Sequence, residues 1–260
     1  MLLEFHQVDA FADGPFTGNP AAVYRLEIWP SDDLLQKIAQ EYNPAVTVFV
    51  AREGTAWRIR WFVPREEVKI CGHGTLAAAH VLFTVYGIEG DQLEFVSHSG
   101  PLRVSRGADR LTLDFPALVP KAVVVPDLER ILGAPPLEVL EDGDCKLLVR
   151  LVSERSVREV APDLHAVAGL PYQGVIVTAA GEEVDFVSRY FAPAVGLNED
   201  AVCGSAHCSL TPFWARRLGK EELIARQLSP RGGRLRCRFV SDRVHISGKA
   251  VTVLAGRFLI

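Results

Sequence analysis

Apolar and polar positions alternate along most of this chain in short runs: LLEFHQV, AAVYRL, TVFVAR, WRIRWFV, LEFVS, LRVSR and RLTLDF, then CKLLVRLV, GVIVTAA, VDFVSRYF, LRCRFV, RVHISG and AVTVLAGRF. A period of two marks strands with one face buried, and turn-forming stretches such as SRGADR and VSDR between them predict antiparallel pairing. Helical spacing is confined to a few places. SDDLLQKIAQEY (31–42) opens with a Ser cap and an acidic first turn, and PDLERILG (126–133) and APDLHAVAGL (161–170) predict two short helices. The other two candidates, GHGTLAAAHVLFTVYG (72–87) and GSAHCSLTPFWARRLG (204–219), each start directly after a cysteine.

Those last two segments belong to a repeat. RWFVPREEVKICGHGTLAAAH, from residue 60, and RYFAPAVGLNEDAVCGSAHCSL, from residue 189, match at Arg60, Phe62, Pro64, Cys71 and Gly72 against Arg189, Phe191, Pro193, Cys203 and Gly204. The Asp109-Arg110 and Asp242-Arg243 pairs continue it at nearly the same offset of roughly 130 residues, far longer than a solenoid period. The pattern predicts an α+β fold of two similar halves, each a curved, mostly antiparallel sheet or barrel around a central helix. The expected boundaries are 1–117 for the half with the Cys71 helix and 118–260 for the half with the Cys203 helix, with the last strand crossing back into the first half. The Pro-punctuated stretch PALVPKAVVVPD (116–127) is the expected crossover.

Composition narrows the function classes. A chain of 260 residues, 48% hydrophobic and 23% charged, has ample material for one large or two ordinary cores. A net charge of −4 supplies no basic footprint for nucleic acid. No secretory leader or membrane-length apolar run is seen, so a cytoplasmic protein without membrane attachment is expected. Five cysteines without CxxC or zinc-like spacing predict free thiols and no metal site.

The repeated Cys-Gly pair is the candidate chemistry. A helix start offers unpaired N–H groups and partial positive charge, and glycines there let a carboxylate approach the backbone. Gly72, Gly74, Gly204 and Ser205 are the expected substrate-binding positions. A thiol beside a helix start is expected to have a lowered pKa. Cys71 and Cys203, related by an approximate two-fold in a cleft between the halves, would then remove and return a proton on opposite faces of one carbon. On this reading both are readily alkylated, whereas Cys145, Cys208 and Cys237 are core thiols. His73, next to Cys71, is either a solvated capping residue or a catalytic proton relay. Asp200 is either a turn former or a carboxylate that orients an amine, and His207 is expected to be structural.

VDAFADGPFTGNPAAV, WFVPREEVKICGHGTLAAAHVLF, YFAPAVGLNEDAVCGSAHCSLTPFW and RGGRLRCRF with DRVHISGKAVTVLAGRF resemble the PhzF-like family of phenazine biosynthesis proteins across nearly the whole chain. The resemblance implies the diaminopimelate epimerase-like fold, an active site between the halves, isomerase activity on a small molecule without metal or organic cofactor, and a homodimer. The family's His after Cys-Gly is matched by His73, its Asp by Asp200, and its Gly-Ser by Gly204 and Ser205. Asn19 in TGNP is a substrate contact by analogy, or part of a plain turn with Gly18. Two departures stand out. The family's Asn-Leu-Ser-Glu-Thr reads NPAVT here, so Val46 replaces the acid/base glutamate, and DAVCGS puts Cys203 where threonine is usual and where diaminopimelate epimerase carries its second catalytic cysteine.

Three functions therefore stay open. The first is a two-base epimerase or racemase of a small, amino-acid-like carboxylate using the Cys pair. The second is a PhzF-type proton-shuttling isomerase in which His73 or Asp200 replaces the glutamate. The third is a non-catalytic small-molecule-binding homologue.

Overall fold

The structure is a computed structural model and describes residues 2–260. In chain order, β1 (Leu2–Ala10) and β2 (Asn19–Leu26) lead to α1 (Asp32–Tyr42), then β3 (Val46–Glu53), β4 (Ala56–Phe62), the short β5 (Glu67–Val68) and α2 (Gly72–Thr84). Next come β6 (Gln92–Ser97), β7 (Gly100–Arg106), β8 (Leu111–Pro116), β9 (Lys121–Ala122) and α3 (Leu128–Leu132). β10 (Glu138–Glu141), β11 (Lys146–Arg150), α4 (Glu154–Glu159), α5 (Leu164–Ala168), β12 (Gly174–Ala180) and β13 (Phe186–Ala192) follow. The chain continues through a 3₁₀ turn (Pro193–Val195), β14 (Leu197–Asp200), α6 (His207–Leu218), β15 (Glu222–Gln227), β16 (Gly233–Val240), β17 (Arg243–Gly248) and a C-terminal strand, Ala250–Leu259. It divides into two compact units, Met1–Asp114 with Ser247–Ile260, and Phe115–Ile246.

The units are wired alike. In the first, β1 is antiparallel to β2, β2 parallel to β3, β3 antiparallel to β4, β4 antiparallel to β5 and parallel to β6, and β6 antiparallel to β7. The second repeats that order with β10, β11, β12, β13, β14, β15 and β16. Each of these four parallel pairs has a helix between its strands, since a parallel return needs a crossover too long for a hairpin. The C-terminal strand runs antiparallel to β1, from Leu2 opposite Leu259 to Ala10 opposite Ala250.

Burial separates the helices by role. α1 is amphipathic: Ser31 caps it through Leu34 N–H, and only Leu35, Ile38 and Ala39 are buried. Asn43 ends it in the left-handed conformation, and Pro44 then bars continuation. α2 is apolar on all sides and, apart from His80 and Thr84, wholly buried, as befits a central helix. It packs against β1, β2, β3, β7 and the C-terminal strand. In the second unit α6 buries its residues from His207 to Ala215, while α4 and α5 pack on β12 and β13.

Three sequence expectations need correction. α6 begins at His207 and not at residue 204, because Gly204–Ala206 form a tight turn in which the N–H groups of His207 and Cys208 bond three residues back, to Gly204 (3.0 Å) and Ser205 (3.1 Å). α4 lies in a segment where the sequence predicts no helix. It is capped by Ser153, whose hydroxyl accepts the Ser156 N–H at 3.2 Å, and it buries only Val157. Cys145 is exposed in a turn at φ 56° and not in the core, whereas Cys208 and Cys237 are buried.

Candidate active site

In the first unit the β1–β2 connection, α2 and the turn before it converge. Gly18 sits at φ +71° with its Cα so close to the Ala10 carbonyl that a Cβ would lie 2.3 Å from the oxygen, so only glycine fits. That turn delivers Asn19, fully buried, to the start of β2 opposite Ala10. Asn19 Nδ2 donates to His73 Nδ1 at 3.2 Å, which leaves the ring proton on Nε2. His73 is buried rather than solvated, and burial brings its pKa down to about 3, so the imidazole is neutral. The Cys71 sulfur lies 3.4 Å from Nδ1 and 3.9 Å from Nε2 of the same ring.

Cys71 is the N-cap of α2 in an extended conformation, and its sulfur makes no capping bond. Its carbonyl instead accepts Thr75 N–H (3.0 Å) and Thr75 Oγ1 (2.7 Å), which ties the turn to the helix. Gly72 is the first, buried residue of the helix. Gly74 is a packing necessity: a Cβ there would stand 2.9 Å from Trp61 Cδ1, 3.0 Å from Val48 Cγ2 and 3.2 Å from Cys71 Sγ. Val46 opens β3 opposite Ala21 and is almost fully buried.

In the second unit β14 ends at the buried Asp200, and the loop carrying Cys203 is held by Gln227 at the end of β15. The fully buried Gln227 donates from Nε2 to the Asp200 carbonyl (2.6 Å) and accepts Cys203 N–H on Oε1 (2.9 Å). Ser229 Oγ donates to the Ala201 carbonyl at 2.6 Å. His207 donates from Nδ1 to the Cys203 carbonyl at 2.8 Å, and burial brings its pKa down to about 4. This is the structural role expected of it. Cys203 Sγ lies 3.3 Å from Ser205 Oγ. Gln227 and Ser229 carry no motif, and sequence reasoning missed both.

The expected lowering of the Cys203 pKa is overturned. The thiol is buried, and burial pushes it up to about 12; Asp200 adds to the rise, while Lys146, the Ser205 hydroxyl and the Ala206 N–H pull against it. The helix proper starts at His207, four residues after Cys203, so the thiol does not sit at the helix start.

The repeated Arg and Phe have a structural task in both units. Arg60 forks onto Glu67 of β5 (2.8 and 2.6 Å) and lies over Phe62, its guanidinium 5.1 Å from the ring centre. Arg189 forks onto Glu199 of β14 (2.7 and 2.9 Å) and lies over Phe191 at 4.7 Å. Each pair staples the hairpin that leads into the cysteine turn. Thus Asn19, Cys71, His73 and Gly74 come together in the first unit, and Asp200, Cys203 and Ser205 share one loop in the second. Among the described residues no cluster of His, Cys, Asp and Glu could hold a metal ion, and no helix is long and apolar enough to cross a membrane.

The phenazine biosynthesis-like protein family (PhzC-PhzF) matches residues 8–256. An uncharacterized isomerase of Pseudomonas aeruginosa is 60% identical over 99% of this chain and 98% of its own length. A crystal structure of a PhzF-family phenazine biosynthesis protein from Enterococcus faecalis superposes with a TM-score of 0.97 at 44% identity, covering 100% of both chains. A hydroxyproline epimerase from Agrobacterium vitis shares the fold, with a TM-score of 0.64 at 10% identity over 98% of this chain and 92% of that one. With the fold, the repeated Cys-Gly turns and these likenesses in hand, the chain belongs to the PhzC-PhzF family of phenazine biosynthesis-like proteins, as an isomerase of that family.

Proposed function

We propose that the chain is a cofactor-independent, two-base epimerase or racemase of a small, amino-acid-like carboxylate, with Cys71 and Cys203 as its acid/base pair. The observation that carries this reading is the placement of one thiol at the same point of two identically wired units, each with a polar partner on its sulfur: His73 for Cys71 and Ser205 for Cys203. A buried valine stands at the position of the family's glutamate, which favours the thiols over a carboxylate shuttle.

The unequal surroundings assign the roles. Cys203, held as the thiol by burial, is the acid that gives its proton to the substrate carbon. Cys71 is the base: its thiolate takes the α-proton, and the Nε2–H of the neutral His73 ring, 3.9 Å from the sulfur, orients it. The N–H groups at Gly72, Gly74, Gly204 and Ser205 bind the substrate carboxylate and steady the enolate that forms. Asp200 orients the substrate amine, and Asn19 fixes the tautomer of His73. A homodimer is the proposed working form, as the family resemblance implies; light scattering at the 28.5 kDa chain mass would reject it.

A panel of amino and hydroxy acids in deuterated water, followed by NMR, tests the reaction. Deuterium should enter at the α-carbon of one substrate class. Cys71→Ala and Cys203→Ala should each abolish racemisation, while one of them can still eliminate a leaving group, which needs proton removal from one face only. Full activity in the double variant would reject the thiol mechanism in favour of His73 or Asp200 as the shuttle. Binding without exchange in the wild type would leave the non-catalytic homologue.

A further inference from the structure

A buried lysine stands beside the thiol of the second unit. Lys146 opens β11 with 4% of its surface exposed, an expensive place for an ammonium. Its Nζ is ion-paired with the Asp144 carboxylate and reaches the Asp144 carbonyl at 3.4 Å. Asp144 itself is half in solvent, so it offsets only part of the lysine's charge. Asp142, buried, shapes the turn beneath: one carboxylate oxygen accepts the N–H groups of Asp144 (2.8 Å) and Lys146 (3.0 Å), and the other is buried without a partner.

The sheet register brings this charge toward the cysteine loop. Lys146 lies opposite Gly174 in the parallel β11–β12 pair. A Cβ at Gly174 would meet Tyr190 Cε2 at 2.8 Å, so the Tyr190 ring covers the place where a side chain is missing. Tyr190 in turn lies opposite Asp200, three residues before Cys203. Burial raises the pKa of the Tyr190 phenol, and the Lys146 charge works against the rise of the Cys203 thiol. Register thus links the buried Lys146, with Asp142 and Asp144 beside it, through Gly174 and Tyr190 to Asp200 and the Cys203 loop.

We propose that Lys146 is a positioning residue for Cys203, the counter-ion of the thiolate that Cys203 becomes when it gives its proton to the substrate. This rests on the acid role assigned to Cys203 above. In that step the S–H bond breaks, a C–H bond forms on the substrate enolate, the sulfur keeps the electron pair, and Lys146 keeps all its protons. Without the ammonium the new thiolate would lose the positive charge that works against the Asp200 carboxylate.

The test is the rate at which iodoacetamide modifies Cys203 in the full chain at pH 8 to 9, read at that residue by mass spectrometry. Well below its pKa a thiol's reactive fraction changes about tenfold for each unit of pKa. Lys146→Met should slow Cys203 by roughly tenfold or more, and Lys146→Arg, which restores the charge, should recover most of the rate. Asp144→Asn removes a half-exposed partner and releases the ammonium, so Cys203 should react several-fold faster, and this increase should shrink in the Asp144→Asn, Lys146→Met double variant. A Cys203 rate unchanged in a folded Lys146→Met protein overturns the proposal, as does equal slowing by Met and Arg. If Lys146→Met does not fold, a rate unchanged or lowered in Asp144→Asn overturns it. The acid role of Cys203 is judged separately: racemisation at wild-type rate in Cys203→Ala rejects that role whatever the labelling shows.

Discussion

Thiol reactivity is where single residues diverge most sharply. At pH 8 burial, which pushes the Cys203 pKa up to about 12, holds that residue almost wholly as the thiol. Time-resolved alkylation should therefore mark the exposed Cys145 first and the half-buried Cys71 ahead of Cys203, with Cys208 and Cys237 also slow. Labelling of Cys203 as fast as Cys145 would show that its loop opens in solution. His73 and His207 set a second expectation. Both pKa values fall from 6.5, to about 3 and about 4, so the unfolded chain binds more protons in the acid range. Their contribution is fully present above pH 6.5 and is lost as pH falls towards 4 and 3, at up to about 1.4 kcal/mol per unit for each ring. Urea denaturation at pH 7 and pH 5 should show the loss, and His207→Gln should flatten the slope. Little of this is legible in the sequence. A Cys-Gly pair before an apolar helix announces a turn, but the cover over Cys203 depends on Gln227, which reaches it from another strand.

At the scale of elements, patterning revealed the alternating strands and the all-apolar α2, because those signals repeat within a few residues. The start of α6 and the existence of α4 were hidden, since both depend on bonds made after folding: Gln227 draws the Cys203 loop out of the helix, and α4 is a single capped turn and a half with one buried residue. The matched Arg-x-Phe, a marker of the repeat in the sequence, is a staple. Arg60→Lys and Arg189→Lys should each cost about 1–2 kcal/mol in thermal or urea denaturation, because lysine cannot fork onto Glu67 or Glu199. Equal stability of both variants with wild type would show that the ion pairs contribute nothing net. Gly74→Ala forces a methyl against Trp61 and the Cys71 sulfur and should destabilise by about 1–3 kcal/mol. The same variant should alter Cys71 alkylation, which a purely distant packing defect would leave alone.

At the scale of the molecule, the duplicated sentence in the sequence corresponds to duplicated strand wiring, down to the parallel pairs around each helix. The two units share the position of the thiol and differ in its surroundings: Cys71 sits on a helix cap beside an imidazole, Cys203 in a buried loop. The C-terminal strand has a further consequence. It completes the first unit by pairing with β1 along its whole length, while the second unit is one unbroken stretch of chain, Phe115–Ile246. On the ribosome, then, the later-encoded unit has all of its strands before the earlier one does. For the time needed to translate residues 247–260, roughly a second or two, β1 waits with an open edge. Truncation after Lys249 should hold the chain in that waiting state, with hydrogen exchange fast in β1 and β2 and still slow in β12 and β13.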